Sequence, residues 1–138
     1  MCGRFVLSNF TDVKGFHNVL IEPSYNIAPS HRTLILNQEM RPDFLEWGYS
    51  PIWAKKPMNL INAKYESLDI KPSFKDYETC VFVADGWFEW QKNSRGEKHP
   101  IFIHADNEIF YFAGIKNASG AAIVTIDAHP SLANIHHR

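Results

Sequence analysis

Clusters of Gly, Pro, Asn and Asp interrupt this chain every few residues, and the runs between them are short and rich in β-branched and aromatic side chains. That spacing favours strands and leaves little room for helices. The candidate strands are Arg4–Leu7, Arg32–Asn37, Asp43–Gly48, Asn59–Ala63, Thr79–Ala84, Trp87–Gln91, Ile101–His104, Ile109–Ile115 and Ala121–Ile126. Asn93-Ser-Arg-Gly reads as the turn of a hairpin joining the runs around Phe88 and Phe102, and Ala105-Asp-Asn-Glu as the turn joining the next pair. Thr11 is a candidate cap for a helix from Asp12 to Leu20, with Val13, Phe16, Val19 and Leu20 on one face. Tyr65–Ile70 and Pro130–Ile135 read as short helical turns. The expected architecture is a curled antiparallel sheet, barrel-like in form, with topology left open by the pattern.

A length of 138 residues suits one domain with a real core. The net charge of −1 excludes binding to DNA through general electrostatics, so any nucleic-acid partner needs a local cluster of cations. Aromatics reach 14%, enough to line a cleft as well as fill a core, dense packing being the commoner use. Cys2 and Cys80 form no Cys-x-x-Cys pair, so no thiolate zinc site is expected. Cys80, in an apolar run, reads as a buried inert thiol. The N-terminus resembles no signal or transit peptide, and no apolar stretch reaches the roughly 18 residues of a membrane span. These features suggest a soluble protein of a reducing compartment, with no membrane, metal or cofactor partner.

Cys2 carries the most chemistry. Removal of Met1 would free an α-amine of pKa about 7.7–8.0, one carbon from a thiol of pKa about 8.5. Such a 1,2-aminothiol condenses with an aldehyde to an imine, which the thiol closes to a five-membered thiazolidine. With Met1 attached, the nitrogen is an amide and the reaction is blocked. In Gly86-Trp-Phe-Glu-Trp, strand alternation puts Trp87 and Glu89 on one side and Phe88 and Trp90 on the other. A carboxylate among aromatics suits proton transfer. Asn62 offers an amide and Lys64 a positive charge in Ile61-Asn-Ala-Lys-Tyr-Glu. In the final Ile135-His-His-Arg, His136 suits proton shuttling and Arg138 suits a phosphate. Each has an ordinary alternative: an incidental cysteine, an exposed glutamate, solvated loop groups, a loose tail. His31, His99, His104 and His129 show no ligand spacing, and no Gly-rich phosphate loop or nucleophile elbow is present.

Taken in order, six motifs are specific: Met-Cys-Gly-Arg-Phe at the start, Tyr25-Asn-Ile-Ala-Pro, Trp47-Gly-Tyr-Ser-Pro-Ile-Trp53, Ile61-Asn-Ala-Lys-Tyr-Glu66, Ala84-Asp-Gly-Trp-Phe-Glu-Trp90 and Ile135-His-His-Arg138. Along its whole length the chain resembles the SOS-response-associated peptidase (SRAP) family. The resemblance implies an α+β fold, mainly antiparallel strands curled into a pseudo-barrel with a few short helices, around a positively charged cleft. It implies processing that exposes Cys2, possible self-cleavage, lyase-type activity, and capture of abasic sites in single-stranded DNA as a thiazolidine crosslink. Carried over by motif, Cys2 is the nucleophile, Asn62 positions the reacting centre, Glu89 is the general acid/base, and His136 assists sugar ring opening and reversal. Arg4, Lys64 and Arg138 are the implied DNA-backbone contacts, with Trp53 and Trp90 as stacking surfaces. Compartment follows source: cytoplasmic and nucleoid-associated in a bacterium, nuclear in a eukaryote.

Two departures matter. The family usually carries Arg at the Lys64 position, and Lys keeps the charge but loses the bidentate fork. Family members also continue past the position of Arg138 through Met-Pro, so the expectation is a single domain over residues 1–138 without the usual C-terminal region. Two rival functions remain open: a cysteine hydrolase that does not crosslink DNA, and a non-catalytic DNA-binding fragment or interaction module.

Overall fold

The computed structural model describes residues 2–9, 22–106 and 108–138. Among these the strands are β1 (Arg4–Leu7), β2 (Ser24–Ile27), β3 (Arg32–Leu36), β4 (Pro42–Glu46), β5 (Asn62–Lys64), β6 (Glu78–Ala84), β7 (Gly86–Lys92), β8 (Lys98–Ile103), β9 (Phe110–Asn117) and β10 (Gly120–Thr125). They form two open sheets, a four-stranded one in the order β2-β1-β7-β8 and a six-stranded one in the order β4-β3-β6-β9-β10-β5. Strand ladders are antiparallel except between β5 and β10, where Ala63 lies opposite Val124 in a parallel ladder, and an isolated parallel bridge joins Trp47 to Ala121.

The α+β pseudo-barrel expected from the sequence is corrected by this arrangement. Closure needs the two edges of one sheet to pair, and here the edges of the larger sheet are β4 and a β5 of only three residues. The chain also changes sheets instead of curling. After β6 the Asp85 N–H donates to Val6 O at 2.9 Å, so β7 pairs with β1 and not with β6. Helix among the described residues amounts to two 3-10 turns, Tyr65–Ser67 and Pro72–Phe74. The first cannot extend into an α-helix because Lys71 precedes a proline and is extended, with φ −81° and ψ 130°. Residues 130–135 make successive turns, and the candidate helix from Asp12 to Leu20 lies outside the described residues.

Of the two expected hairpins, the first forms. Asn93 Oδ1 accepts from the N–H groups of Arg95 and Glu97, and Gly96 supplies φ +79°. Ala105-Asp-Asn-Glu closes none, since β8 pairs with β7 while β9 pairs with β6 and β10. It links the two sheets instead. A hairpin that pattern missed joins β9 to β10, ending at Gly120, which has a φ of +149° and where a Cβ would lie 2.5 Å from Gly48 O, so no side chain fits.

The main core draws aromatics from both sheets. Phe5 is fully buried with its ring centroid 5.1 Å from Trp47 and 6.2 Å from both Phe82 and Phe112. Trp87 packs edge-on against Phe110 and Phe112. Each such buried ring is worth about 1.5–3 kcal/mol in removed apolar surface. A second cluster holds Tyr49, Leu68, Phe74, Ile115 and Ala122. Strand β10 serves both: Ala121 and Ile123 join the first, Ala122 and Val124 the second, as a period of two requires.

Candidate active site

The position of Cys2 follows from strand register. Arg4 lies opposite Phe88 and Phe5 opposite Trp87, so the antiparallel run carries the preceding residues towards Glu89 and Trp90. A Cβ on Gly3 would sit 4.0 Å from the Trp90 ring, in keeping with that path. The clamp at the other end of β1 is Asp85, whose Oδ2 accepts from Ser8 N–H at 2.7 Å, Ser8 Oγ at 2.8 Å and Asn9 N–H at 2.7 Å. Asp85 is itself buried, just before the strand that bears Glu89.

Cys2 and Glu89 are each only 5% exposed and line one cavity of about 210 Å³. Trp87, Asp127, His129, His136 and Arg138 line it too. Burial, together with the charge of Glu89, pushes the Cys2 thiol up to about 12. The thiol is therefore neutral near pH 7, and it donates weakly to Arg4 O at 3.5 Å. Asn62, at the start of β5, donates from Nδ2 to Cys2 O at 2.9 Å, while its buried Oδ1 has no partner. Strand alternation thus puts Glu89 and Trp87 on the cavity side, as the pattern indicates.

The opposite wall is the irregular segment after β10. Ala128 N–H donates to His137 O at 3.0 Å, His136 N–H donates to Leu132 O at 3.1 Å, and Gln91 Nε2 on β7 donates to Asn134 O at 3.0 Å. His136 Nδ1 lies 3.1 Å from Arg138 N and 3.2 Å from Arg138 O, and its ring stacks on His137 at 4.5 Å. Arg138 is held by four hydrogen bonds: Nη1 to Glu66 Oε1 at 2.7 Å and Asp127 Oδ1 at 2.9 Å, Nη2 to Glu66 Oε2 at 2.9 Å and Thr125 O at 3.0 Å. The guanidinium in turn lowers the Glu66 carboxyl to about 2.

Of the residues singled out in the sequence, Cys2, Glu89, His136 and Arg138 come together, with Asn62 bonded to Cys2. Trp90 lines an adjoining groove of about 620 Å³ with Lys92, Lys98 and His137, sharing Glu89 and His136 with the first cavity. Three residues line neither. Trp53 is 58% exposed and donates from Nε1 to Pro72 O at 3.2 Å, Lys64 is exposed at the end of β5, and Arg4 is half-buried with Nε unpartnered. Sequence reading missed Glu66, Asp127 and Asp85 as organising groups and gave no role to His129, which reaches the cavity wall. Glu66 is 72 residues from the arginine that it holds, and no local pattern encodes such a pair. Among the described residues, no group of three or more His, Cys, Asp or Glu is placed to hold a metal ion, and no helix is long and apolar enough to cross a membrane.

Comparison with known proteins adds a family. A family model described as SOS response associated peptidase (SRAP) matches residues 1–138. The chain is 33% identical to the abasic site processing protein YedK of Escherichia coli, over all of this chain and 73% of YedK. It is 37% identical to the abasic site processing protein YoqW of Bacillus subtilis, over 83% of this chain and 59% of YoqW. The crystal structure of a phage-related protein from Bordetella bronchiseptica superposes with a TM-score of 0.75 at 28% identity, covering 99% of this chain and 75% of that one. A protein from Bacteroides thetaiotaomicron shares the fold, with a TM-score of 0.76 at 22% identity over 99% of this chain and 75% of that chain.

Proposed function

The chain belongs to the SOS response associated peptidase family, and from that membership we propose that it processes abasic sites in single-stranded DNA. The observation that carries this reading is that Cys2, Glu89 and His136, set far apart in sequence, line a single cavity. The relatives YedK and YoqW bear the name of abasic site processing proteins, which supplies the substrate class.

In the proposed chemistry, removal of Met1 frees the α-amine of Cys2, and self-removal would be the peptidase step of the family name. The amine attacks the aldehyde of the ring-opened sugar, and the resulting carbinolamine loses water to give an imine. The thiol then adds across the C=N bond. A sulfur–carbon bond forms, the thiol proton ends on nitrogen, and the thiazolidine closes with water as the only by-product. Burial beside Glu89 favours the protonated thiol, which favours attack by the amine first.

Glu89 exchanges protons with the carbinolamine oxygen, and His136 assists opening of the sugar ring. Asn62 fixes Cys2 through its carbonyl. An abasic site offers no base to read, so Arg4 and Lys64 would serve the backbone, Arg138 being engaged by Glu66, Asp127 and Thr125, and Trp53 and Trp90 the flanking bases, at about 1–3 kcal/mol per stacked base. Covalent capture makes a net charge of −1 tolerable.

The test mixes Met1-processed protein with single-stranded DNA bearing one abasic site and resolves the products on a denaturing gel. Wild type should give a shifted band, Cys2→Ala none, and Glu89→Gln should slow band formation about a hundredfold. A stable band after selective acetylation of the α-amine would overturn the thiazolidine.

A further inference from the structure

We propose that Glu66 is a positioning residue that sets the protonation behaviour of His136 through Arg138. The inference rests on the reading that His136 moves protons at this site, and it adds a residue 70 positions away in the sequence that does not line the cavity.

The connection has three parts. The ring nitrogen Nδ1 of His136 has both backbone groups of Arg138 within reach, the N–H at 3.1 Å and the backbone oxygen at 3.2 Å. A bare Nδ1 accepts from the first, and a protonated Nδ1 donates to the second. The ring can therefore gain or lose a proton at Nδ1 without moving, provided that the Arg138 backbone stays in place.

What keeps it in place is the arginine side chain. Its Nη1 and Nη2 carry four N–H groups, and all four are engaged. Two go to the Asp127 carboxylate and Thr125 O, on the chain just before the His136 segment. The other two go as a bidentate fork to Glu66, on a different part of the fold. The Arg138 side chain is only 5% exposed although Glu66 is 56% exposed, so the fork closes over the guanidinium from the solvent side. Glu66 follows the strand whose Asn62 holds Cys2 O. One segment, Asn62 to Glu66, thus ties the nucleophile at one end and the His136 wall at the other.

Other titratable groups line the same spaces as the ring: Glu89, Cys2, Asp127 and His129 in the shared cavity, Lys92 and Lys98 in the adjoining groove, and His137 stacked on it. Glu66 acts differently from these, through the geometry of Arg138.

The test is Glu66→Gln, which is nearly isosteric but turns an acceptor towards Arg138 into a donor, with Glu66→Asp as the charge-keeping comparison. Ring nitrogen NMR of His136 in the free protein reports its tautomers independently of any reaction. Glu66→Gln should change the tautomer pattern of His136 from that of the wild type and slow crosslinking about tenfold. Affinity for intact single-stranded DNA should stay within about twofold, because Arg138 has no free N–H on Nη1 or Nη2 in the wild type. Glu66→Asp should recover part of both effects. An unchanged His136 spectrum in Glu66→Gln would overturn the positioning role. A changed spectrum with an unchanged crosslinking rate would instead uphold the positioning and refute the proton-transfer role assigned to His136.

Discussion

The two walls of the cavity are built by different means. Glu89 stands on β7 and Cys2 just before its neighbour β1, and the register of the two strands is fixed by a backbone ladder, the Asp85 clamp and the buried ring of Phe5. His136 and Arg138 belong to a segment of turns, held by a few backbone bonds and by side-chain ties to Glu66 and Asp127. The first wall draws its precision from the core, so disturbing it costs stability. The second draws its precision from polar contacts, so disturbing it should cost chemistry while the fold survives.

The sharpest way to break this contrast is Phe5→Ala. Removing a ring that touches Trp47, Phe82 and Phe112 should cost about 3–5 kcal/mol in urea unfolding. Asp85→Ala comes next, at about 2–3 kcal/mol, because it strands three donors at the end of β1. Either loss falling below about 1 kcal/mol would mean that the Cys2 wall is not core-supported.

Alkali probes the core that supports this wall through its two buried thiols. Burial raises both Cys2 and Cys80 from 9.0 to about 12, so each is harder to ionise folded than unfolded. Stability should be complete below pH 9 and fall as pH rises from there towards 12. Urea midpoints at successive pH values measure this, and Cys80→Ala should remove part of the slope. A flat profile from pH 9 to 11 would show that the thiols ionise at no cost.

The smallest effect should come from the polar wall. Glu66 is lowered from 4.5 to about 2 by the guanidinium, so its tie to Arg138 is intact above pH 4.5 and lost as pH falls through about 2. In Glu66→Gln this acid-dependent contribution should vanish while the melting temperature at pH 7 barely moves. A large drop at pH 7 would erase the distinction between the two walls.

Strand positions were legible because their causes are local. The run Thr79–Ala84 and the alternation of Trp87 and Glu89 show in side-chain type alone, and the Asn93 turn encodes its own hydrogen bonds. β2 escaped notice because Ser24, Tyr25 and Asn26 bury little, Tyr25 being 70% exposed, and their strand state is imposed by pairing with β1. The sheet change at Asp85 escaped for a similar reason, since a carboxylate before a glycine resembles any turn until Ser8 and Asn9 arrive to bond it.

The order of residues determined which groups are available: a 1,2-aminothiol latent at Cys2, a glutamate between aromatics, an amide and a histidine suited to polar work. Side-chain chemistry and short-range backbone preference are properties of the chain wherever it lies. Only the tertiary structure decided that the sheets stay open, that the Cys2 thiol is buried beside Glu89, and that Glu66 grips Arg138. Those outcomes depend on contacts between distant segments and on the water that such contacts exclude, and neither is written in any one stretch of sequence.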